Sequence, residues 1–320
     1  MSRSSLPITD LVAAAVAAPS SHNTQPWFFH STGSGVALVA DRTRALPVND
    51  PFDRELTISC GAALFNMEIA ARHLGFTPHV QILPDPEDPD LLADVSLIEG
   101  SGGPVPGDLY DAVPRRRTTR HSFSPDAVPT GIADRLRAVG GQHAVSVHFV
   151  GGDERPVLAA LVVQGDQMQF ADARWRRELA SWMHPRRKGE GLVVPEVVGL
   201  VSRAVVTAFD VGRSIAGKDA KAITDAPLVA IVATERDDTA QWIETGRALQ
   251  HLLLTAASED VYAGYLNQPC QVAELRPQLA RLLPAPLQPQ LVVRFGKLAA
   301  APEASPRRPI EAVLDTNVGD

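Results

Sequence analysis

Cysteine is nearly absent from this sequence of 320 residues, which has only Cys60 and Cys270. The two lie far apart and in no metal-ligand spacing, so neither a disulfide framework nor a cysteine-based metal site is expected. The nine histidines form no His-Glu-x-x-His or clustered Cys/His pattern, and no metal site is expected from them either. A reducing compartment, the cytoplasm, is the expected location.

Long hydrophobic runs are also missing. No stretch reaches the roughly 18–20 apolar residues that a membrane helix needs, and the short apolar segment Leu11–Ala18 lacks the cationic start of a secretory signal. A formal net charge of -7 at pH 7 argues against non-specific binding to nucleic acid or to anionic membranes. With 45% hydrophobic residues the chain can bury a sizeable core, as one large domain or two of ordinary size.

Hydrophobic periodicity predicts helices and strands on both sides of a flexible joint. The expected linker is the Gly- and Pro-rich segment Gly100–Pro106. The expected helices are 8–18, Cys60–Leu74, Ile132–Val139 and Gly246–Ala257. The expected strands are Trp27–Phe29, Val36–Ala40, His79–Leu83, Ala93–Ile98, Val145–Val150 and Leu291–Phe295.

The two halves share a weak internal similarity. A shift of 120 places Ala18–Phe29 on Ala138–Phe149, and a shift of 185 places the helix at Gly61 on the helix at Gly246. The difference between the shifts implies an insertion of about 65 residues in the second half. We therefore predict a first unit at 1–100 and a second at 101–320, with the insertion at about 160–225. The insertion is either a lid over a site or a peripheral decoration.

A stiff polar loop precedes the first strand, at residues 18–28. Pro19 and Pro26 restrict its backbone, and the Ser, Asn, Thr and Gln residues between them offer hydrogen-bond donors and acceptors. Such a loop suits the edge of a flat heteroaromatic ligand. A polar turn before a strand, with Trp27 in the core, explains the same residues. His22 is assigned no proton-transfer role.

Two basic clusters lie further along the chain. Arg115–Arg120 combines arginines with threonine hydroxyls, a set that suits phosphate, and a solvated basic turn is the equally weighted alternative. Arg307 and Arg308 form a second pair near the C-terminus. This pair either converges on the same anion or belongs to an exposed tail.

These motifs together resemble the FMN-dependent nitroreductase superfamily. Residues 18–29, APSSHNTQPWFF, resemble its A-P-S-x-x-N-x-Q-P-W signature. Arg116–Arg120 with Phe123 resembles its R-R-S-x-R-x-F motif, with Thr for Ser and one extra residue before the Phe. Pro306–Pro309 is similar to its basic C-terminal clamp. With Asp53-Arg54-Glu55 and the Gly61 helix, the chain most resembles the twin-repeat Acg-type branch known from actinobacteria, over nearly its whole length except the insertion.

The resemblance implies an α+β fold with α/β/α layers, in which two fused nitroreductase-like repeats form a pseudo-dimer around mixed or antiparallel sheets. It implies an FMN-dependent oxidoreductase in which flavin N5 does the chemistry, no side chain is named as catalytic, and NAD(P)H is a possible donor. Arg116 and Thr118 would hold the phosphate or a ring oxygen, and Arg120 would lie near the pyrimidine end. The cofactor-binding residues that it implies are Pro19, Ser20, Ser21, Asn23, Gln25, Arg116, Thr118, Arg120, Asn267, Gln268, Arg307 and Arg308, with the matches at Asn267 and Gln268 being weak.

The distribution of the motifs implies one FMN per chain. Ordinary family members build each site from two chains, whereas this chain carries each motif once, on different halves. We therefore expect a monomer that acts on a small organic molecule, such as a nitro compound, a quinone or a pathway intermediate. The alternatives are an FMN storage protein with little turnover and a non-catalytic scaffold with the same fold.

Overall fold

The computed structural model of the protein describes residues 6–100, 109–194, 206–207 and 212–316. In these ranges, two sheets flank a pair of long helices. The first sheet has the order β11-β1-β2-β4-β3. Its strands are β1 (Trp27–Ser31), β2 (Gly35–Ala40), β3 (Phe76–Ile82), β4 (Leu91–Glu99) and β11 (Leu314–Asp315). The second has the order β5-β8-β10-β9. Its strands are β5 (Ser146–Phe149), β8 (Leu228–Thr234), β9 (Tyr262–Tyr265) and β10 (Gln288–Gly296).

The first sheet contains the predicted hairpin and also receives the end of the chain. Strands β1 and β2 pair in antiparallel register, with Phe29 opposite Leu38. On its other edge β1 pairs in parallel with β11, so that Phe29 also faces Leu314. The C-terminal segment therefore returns from the second half to complete the sheet of the first.

The second sheet carries helices on both faces. Helices α4 (Ile132–Gln142) and α8 (Thr239–Ser258) pack on the side of Ala230 and Val232. Helices α5 (Glu154–Ala171) and α7 (Gly212–Asp225) pack on the side of the alternate residues Val229 and Ile231. Both faces are covered, and β8 is apolar from Leu228 to Ala233, as expected for a strand between two layers. The predicted α+β class and the mixed sheets are confirmed.

The two halves meet along α2 (Arg54–His73) and α8, which cross at two glycines. A Cβ atom on Gly61 would lie 2.2 Å from the Ile243 carbonyl oxygen, and one on Gly246 would lie 2.1 Å from the Ile58 carbonyl oxygen. No side chain fits at either position, so the helices pack backbone against backbone. The shorter helices are α1 (Ile8–Ala15), α3 (Leu109–Ala112), α6 (Ala173–Ser181), α9 (Gln268–Gln271) and α10 (Arg276–Ala280). A further two-stranded pair consists of β6 (Met183–His184) and β7 (Leu192–Val193).

The predicted helix at Cys60 begins earlier than expected, at Arg54. Its first turns carry Glu55, Thr57 and Ser59, polar residues that hydrophobic spacing does not detect although all are buried. Most of the predicted linker, from residue 101 onward, lies outside the described residues. Both cysteines are buried and free. Within the described ranges, every helix is too short or too polar to span a bilayer.

The predicted insertion divides into two parts with different surroundings. The side chains of Leu161, Val162 and Ile223, on α5 and α7, belong to the buried core on the outer face of the second sheet. Residues 172–194 instead leave this layer and reach the first half, where Trp175 Nε1 donates to Asn49 Oδ1 at 2.9 Å. This middle part of the described insertion therefore lies against the first half.

Candidate active site

A cavity of about 780 Å³ lies between the polar loop, the start of α2, the arginine motif and helices α5 and α7. Its volume falls in the range of about 300–1,000 Å³ that is usual for ligand sites. Ten of the twelve predicted cofactor-binding residues line it, and Gln25 and Arg308 do not. The ten are Pro19, Ser20, Ser21, Asn23, Arg116, Thr118, Arg120, Asn267, Gln268 and Arg307. The fold thus brings motifs from both halves to one place.

The polar loop has an unusual backbone. His22, Asn23 and Gln25 have φ angles of 50°, 56° and 53°, in the left-handed region that costs free energy for residues with a side chain. Ser20 Oγ accepts a hydrogen bond from the backbone amide of Gln25 at 2.9 Å and so stabilises the bend. Burial, with the charge of Arg120 adding to it, lowers the pKa of His22 to about 4. The imidazole is therefore neutral at pH 7.

Asn23 joins the loop to two distant segments of the chain. Its Nδ2 donates to the carbonyl oxygens of Gly191 at 3.3 Å and Pro306 at 3.1 Å, and its Oδ1 accepts from Arg307 Nη1 at 3.1 Å. Gln25 acts in the same way, since its Nε2 donates to the Gly189 carbonyl at 2.9 Å. The amides of both residues thus hold the middle of the insertion and the C-terminal segment against the loop.

The arginine motif is added to the edge of β9 as a short extended segment. Thr118 forms a parallel bridge with Ala263, and the Thr119 amide donates to the Ala263 carbonyl at 2.8 Å. A Cβ atom on Gly264 would lie 2.5 Å from the Thr119 carbonyl oxygen, so this close approach requires glycine. Arg294 of β10 donates through Nη2 to the same carbonyl at 3.3 Å.

Arg116 and Arg307 concentrate positive charge at one end of the cavity. Each donates through Nη2 to the Ala17 carbonyl oxygen at 3.1 Å. Neither pairs with a carboxylate in the described part of the chain. Burial lowers the pKa of both arginines, and repulsion from Arg116 and Arg117 helps to lower that of Arg307 to about 9. Such a pair is stabilised by an anion.

The two arginines differ in the donors that remain for a ligand. Arg116 is 6% exposed, and its Nε has no hydrogen-bond partner among the described residues. The N–H groups of Arg307 are directed instead at Asn23 Oδ1 and at backbone carbonyls, including that of Val16 at 2.6 Å. Arg116 can therefore contact an anion directly, whereas Arg307 contributes mainly its charge.

Arg308 lies outside the cavity and contacts the first half. Its backbone amide donates to Gln25 Oε1 at 2.8 Å and its Nη1 donates to the Gln25 carbonyl at 3.1 Å. Its guanidinium lies over the Phe28 ring, 5.3 Å from the ring centroid. In this structure Arg308 holds the C-terminal segment beside β1 and is not among the residues that line the cavity.

Three acidic residues, Glu55, Asp166 and Asp219, also line the cavity, and the sequence analysis assigns them no role. Glu55 is 2% exposed and accepts hydrogen bonds from Ser21 Oγ at 2.5 Å and from Gln271 Nε2 at 3.0 Å. Asp166 on α5 and Asp219 on α7 both accept from Gln268 Nε2, at 2.9 and 3.0 Å. The cavity therefore has a cationic end and an acidic wall.

One signal in the sequence marks Asp166. Leu158, Val162 and Asp166 recur at a spacing of four, which puts them on one face of α5. The first two are fully buried core residues. A carboxylate in an apolar stripe is costly unless it serves a site. Glu55 and Asp219 carry no comparable mark, because polar residues surround them in the sequence.

The middle of the insertion closes one side of the cavity. The Glu178 carboxylate accepts from the backbone amides of Val48 at 2.9 Å and Asn49 at 2.8 Å. The Gly191 amide donates to the Asn23 carbonyl at 3.1 Å, and Leu192 and Val193 line the cavity. Across the ranges described here, no group of three or more His, Cys, Asp or Glu residues is arranged to hold a metal ion.

The sequence of this chain is similar to those of known proteins. Residues 113–297, more than half of the chain, match the model of the family described as the nitroreductase family. A Mycobacterium tuberculosis protein with the name NAD(P)H nitroreductase acg is 29% identical, over 98% of this chain and 97% of its own. A Serratia protein with the name NAD(P)H nitroreductase PigM is 23% identical, over 93% of this chain and 90% of its own.

Solved structures also resemble the chain. One is the FMN-dependent nitroreductase NfnB from Mycobacterium smegmatis, crystallised with NADPH, at 19% identity and a TM-score of 0.40. The match covers 62% of this chain and 96% of NfnB.

Proposed function

Because this chain belongs to the nitroreductase family, we propose that it is an oxidoreductase that binds one FMN in the cavity between its two halves. The observation that carries the proposal is the buried Arg116 guanidinium. Arg116 lines the cavity, its Nε has no hydrogen-bond partner in the described structure, and Arg307 adds a second charge beside it. A phosphate monoester would neutralise these cations, and one of its oxygens would accept a hydrogen bond from Arg116 Nε.

The donor set fits the rest of an FMN molecule. Arg116 and Thr118 would hold the phosphate, and Ser20 and Ser21 would contact the cofactor from the first half. Arg120 is exposed to the cavity and would stabilise negative charge on a reduced ring system. FMN bound here would supply two-electron transfer through its N5 position.

The names of the relatives support NAD(P)H as the electron donor and a small organic molecule as the acceptor. The acidic wall formed by Glu55, Asp166 and Asp219 leaves polar contacts in the cavity, where an acceptor would bind.

A single site per chain is supported by the region that matches the loop in the second half. The sequence shift places Asn23 on His143, and His143 Nε2 lies 3.1 Å from His251 Nδ1. The Phe65 ring stacks on His251 with a centroid distance of 4.7 Å. Packed rings thus occupy the matching position, and we propose a monomer with one complete site.

Titration of the flavin-free protein with FMN tests the proposal. We expect saturation at one FMN per chain, with a flavin absorbance spectrum that bleaches on addition of NADPH and recovers with a quinone or nitroaromatic acceptor. Saturation near two FMN per chain would overturn the single site, and no saturable binding would overturn the proposed function.

FMN storage is a second candidate because Asn23 and Gln25 hold two segments over the loop. In a storage protein these segments would stay in place and keep NADPH from the flavin. Stopped-flow absorbance separates the two functions. Storage would be favoured if dithionite bleached the flavin rapidly while NADPH bleached it with a rate constant below about one per minute. An oxidoreductase would be favoured if NADPH bleached the flavin within milliseconds to seconds.

A further inference from the structure

Asp166 and Asp219 form a carboxylate pair in the cavity wall that the proposed FMN contacts do not use. One amide group connects them, because Gln268 Nε2 donates to Asp166 Oδ1 at 2.9 Å and to Asp219 Oδ2 at 3.0 Å. The arrangement depends on Gly165, where a Cβ atom would lie 2.6 Å from the Gln268 Cβ. The fold thus brings α5, α7 and α9 together at this pair.

Asp166 retains one oxygen for a ligand. Its side chain is 2% exposed, and its Oδ2 atom has no hydrogen-bond partner in the described part of the protein. Both Asp166 and Asp219 line the cavity. A buried carboxylate oxygen that accepts no hydrogen bond is strongly disfavoured. If the carboxyl is protonated, its O–H group can donate a hydrogen bond to a ligand.

The surrounding charges determine which carboxyl holds a proton. Burial raises the pKa of Asp219, while the Gln268 amide and the charges of Arg294, Arg120 and Lys218 act against this and favour its charged form. The groups that affect Asp166 are different, since only the Gln268 amide favours its charged form. Burial and the neighbouring Asp219 raise the pKa of Asp166 to about 7. Asp166 lacks the neighbouring cations that Asp219 has, so the proton of the pair resides mainly on Asp166.

We propose, resting on the proposed function, that Asp166 is a catalytic acid that gives the proton of its carboxyl group to the acceptor in the cavity. A quinone gains two electrons and one hydrogen as hydride from the reduced cofactor, and its other oxygen must gain a proton. The O–H bond of Asp166 breaks as the O–H bond of the hydroquinone forms. The resulting Asp166 carboxylate regains a proton from water.

The charges around the pair favour a proton donor over a site for a cationic acceptor. Arg120 and Arg294 already compensate the charge of Asp219, so little net negative charge remains for a cation. The preferred acceptors are therefore neutral or anionic carbonyl or nitro compounds, whose oxygen can receive the hydrogen bond of a protonated carboxyl.

Carboxyl NMR of flavin-free protein with ¹³C-labelled aspartate tests the proton on Asp166 without any turnover. We expect the Asp166 carboxyl signal to titrate near pH 7, and its midpoint to fall in Asp219→Asn, which removes the neighbouring charge. The matched control is Asp225→Asn, on the same helix but paired with the exposed Lys221, and it should leave the midpoint unchanged. Titration of Asp166 below pH 5 in the unmodified protein would overturn the proposal.

Stopped-flow kinetics of Asp166→Asn loaded with FMN test the transfer. With a neutral benzoquinone, we expect reoxidation of the cofactor to slow by about 10²-fold, since general acids contribute 10²–10⁴-fold. The step should also lose its pH dependence near 7, while FMN stoichiometry and reduction by dithionite stay unchanged. An unchanged reoxidation rate in Asp166→Asn would overturn the acid role. The acid role would also be overturned if Asp166→Asn reacted normally with the neutral benzoquinone and lost only a preference for quinones that bear a quaternary ammonium group. Failure of the unmodified protein to bind FMN would defeat the proposed function and leave the NMR result standing.

Discussion

Gly61 of α2 and Gly246 of α8 lie against each other, and a Cβ atom on Gly61 would be 3.0 Å from the Gly246 Cα. The contact joins the two halves of the chain at the centre of the fold, next to the residues that line the cavity. Ile58, three residues before Gly61, lines the cavity, and so does Leu249, three residues after Gly246. A shift in this helix crossing would therefore change the shape of the site.

Substitution Gly61→Ala should destabilise the protein by about 1–3 kcal/mol, the range typical of overpacking in a rigid core. The added methyl group meets the Ile243 carbonyl, which cannot move without displacing α8. Chemical denaturation followed by circular dichroism measures the change. The matched control is Gly217→Ala on the surface of α7, which has open space around it and should be neutral or stabilising. Equal effects of the two substitutions would contradict the importance of the crossing.

Substitution Arg116→Lys should weaken FMN binding by about 10-fold or more, because a lysine cannot reproduce a buried guanidinium that has several directed donors. Quenching of flavin fluorescence gives the dissociation constant. Arg115→Lys, one residue earlier, is the control, because the Arg115 side chain is 46% exposed and lies near Asp260 instead. The assignment of Arg116 to the phosphate fails if both variants bind FMN like the unmodified protein.

Substitution Asn23→Ala should release the middle of the insertion and the C-terminal segment from the polar loop. It removes three hydrogen bonds, to Gly191, Pro306 and Arg307. Amide hydrogen exchange at 189–191 and 305–307 should rise at least several-fold, and FMN should dissociate faster. Gln164→Ala, an exposed position on α5, is the control and should leave both unchanged. Unchanged exchange in Asn23→Ala would show that other contacts hold these segments.

Acid should destabilise the protein in part through His251. Burial, with repulsion from His143, lowers the pKa of this histidine to about 4 in the folded state. The unfolded chain, with a pKa near 6.5, binds the proton more tightly, so stability is lost as the pH falls from about 6.5 to 4. The loss reaches about 3 kcal/mol for a shift of this size.

Replacement of His251 by Gln should flatten this part of the stability curve, as thermal unfolding at intervals between pH 4 and 7 will show. His79→Gln, at an exposed position on β3, should keep the acid sensitivity of the unmodified protein. A parallel shift of the whole curve in His251→Gln, with the same slope, would assign the acid sensitivity to other groups.

Much of the site could be predicted because local chemistry marks it. Pro19 and Pro26 stiffen the loop, and the arginine motif is dense enough to stand out in an acidic chain. The hairpin and the central helices followed from periodicity. Glu55 and Asp219 were missed because their burial results from packing between distant elements, and no pattern in their own segments records it. The division into two fused repeats and the lid stay predictions.

The sequence by itself determined the α+β composition, the two motifs and the single copy of each, since these depend on residue types and on spacings within one segment. Tertiary structure decided how the motifs are used. Both Arg116 and Arg308 belong to the basic clusters of the sequence. In the structure Arg116 lines the cavity and its Nε makes no hydrogen bond among the described residues, whereas Arg308 does not line the cavity. The tertiary structure also joined Asp166 to Asp219 across the chain. Burial, pKa and hydrogen-bond partners depend on which surfaces meet, and that is determined only when the two halves pack together.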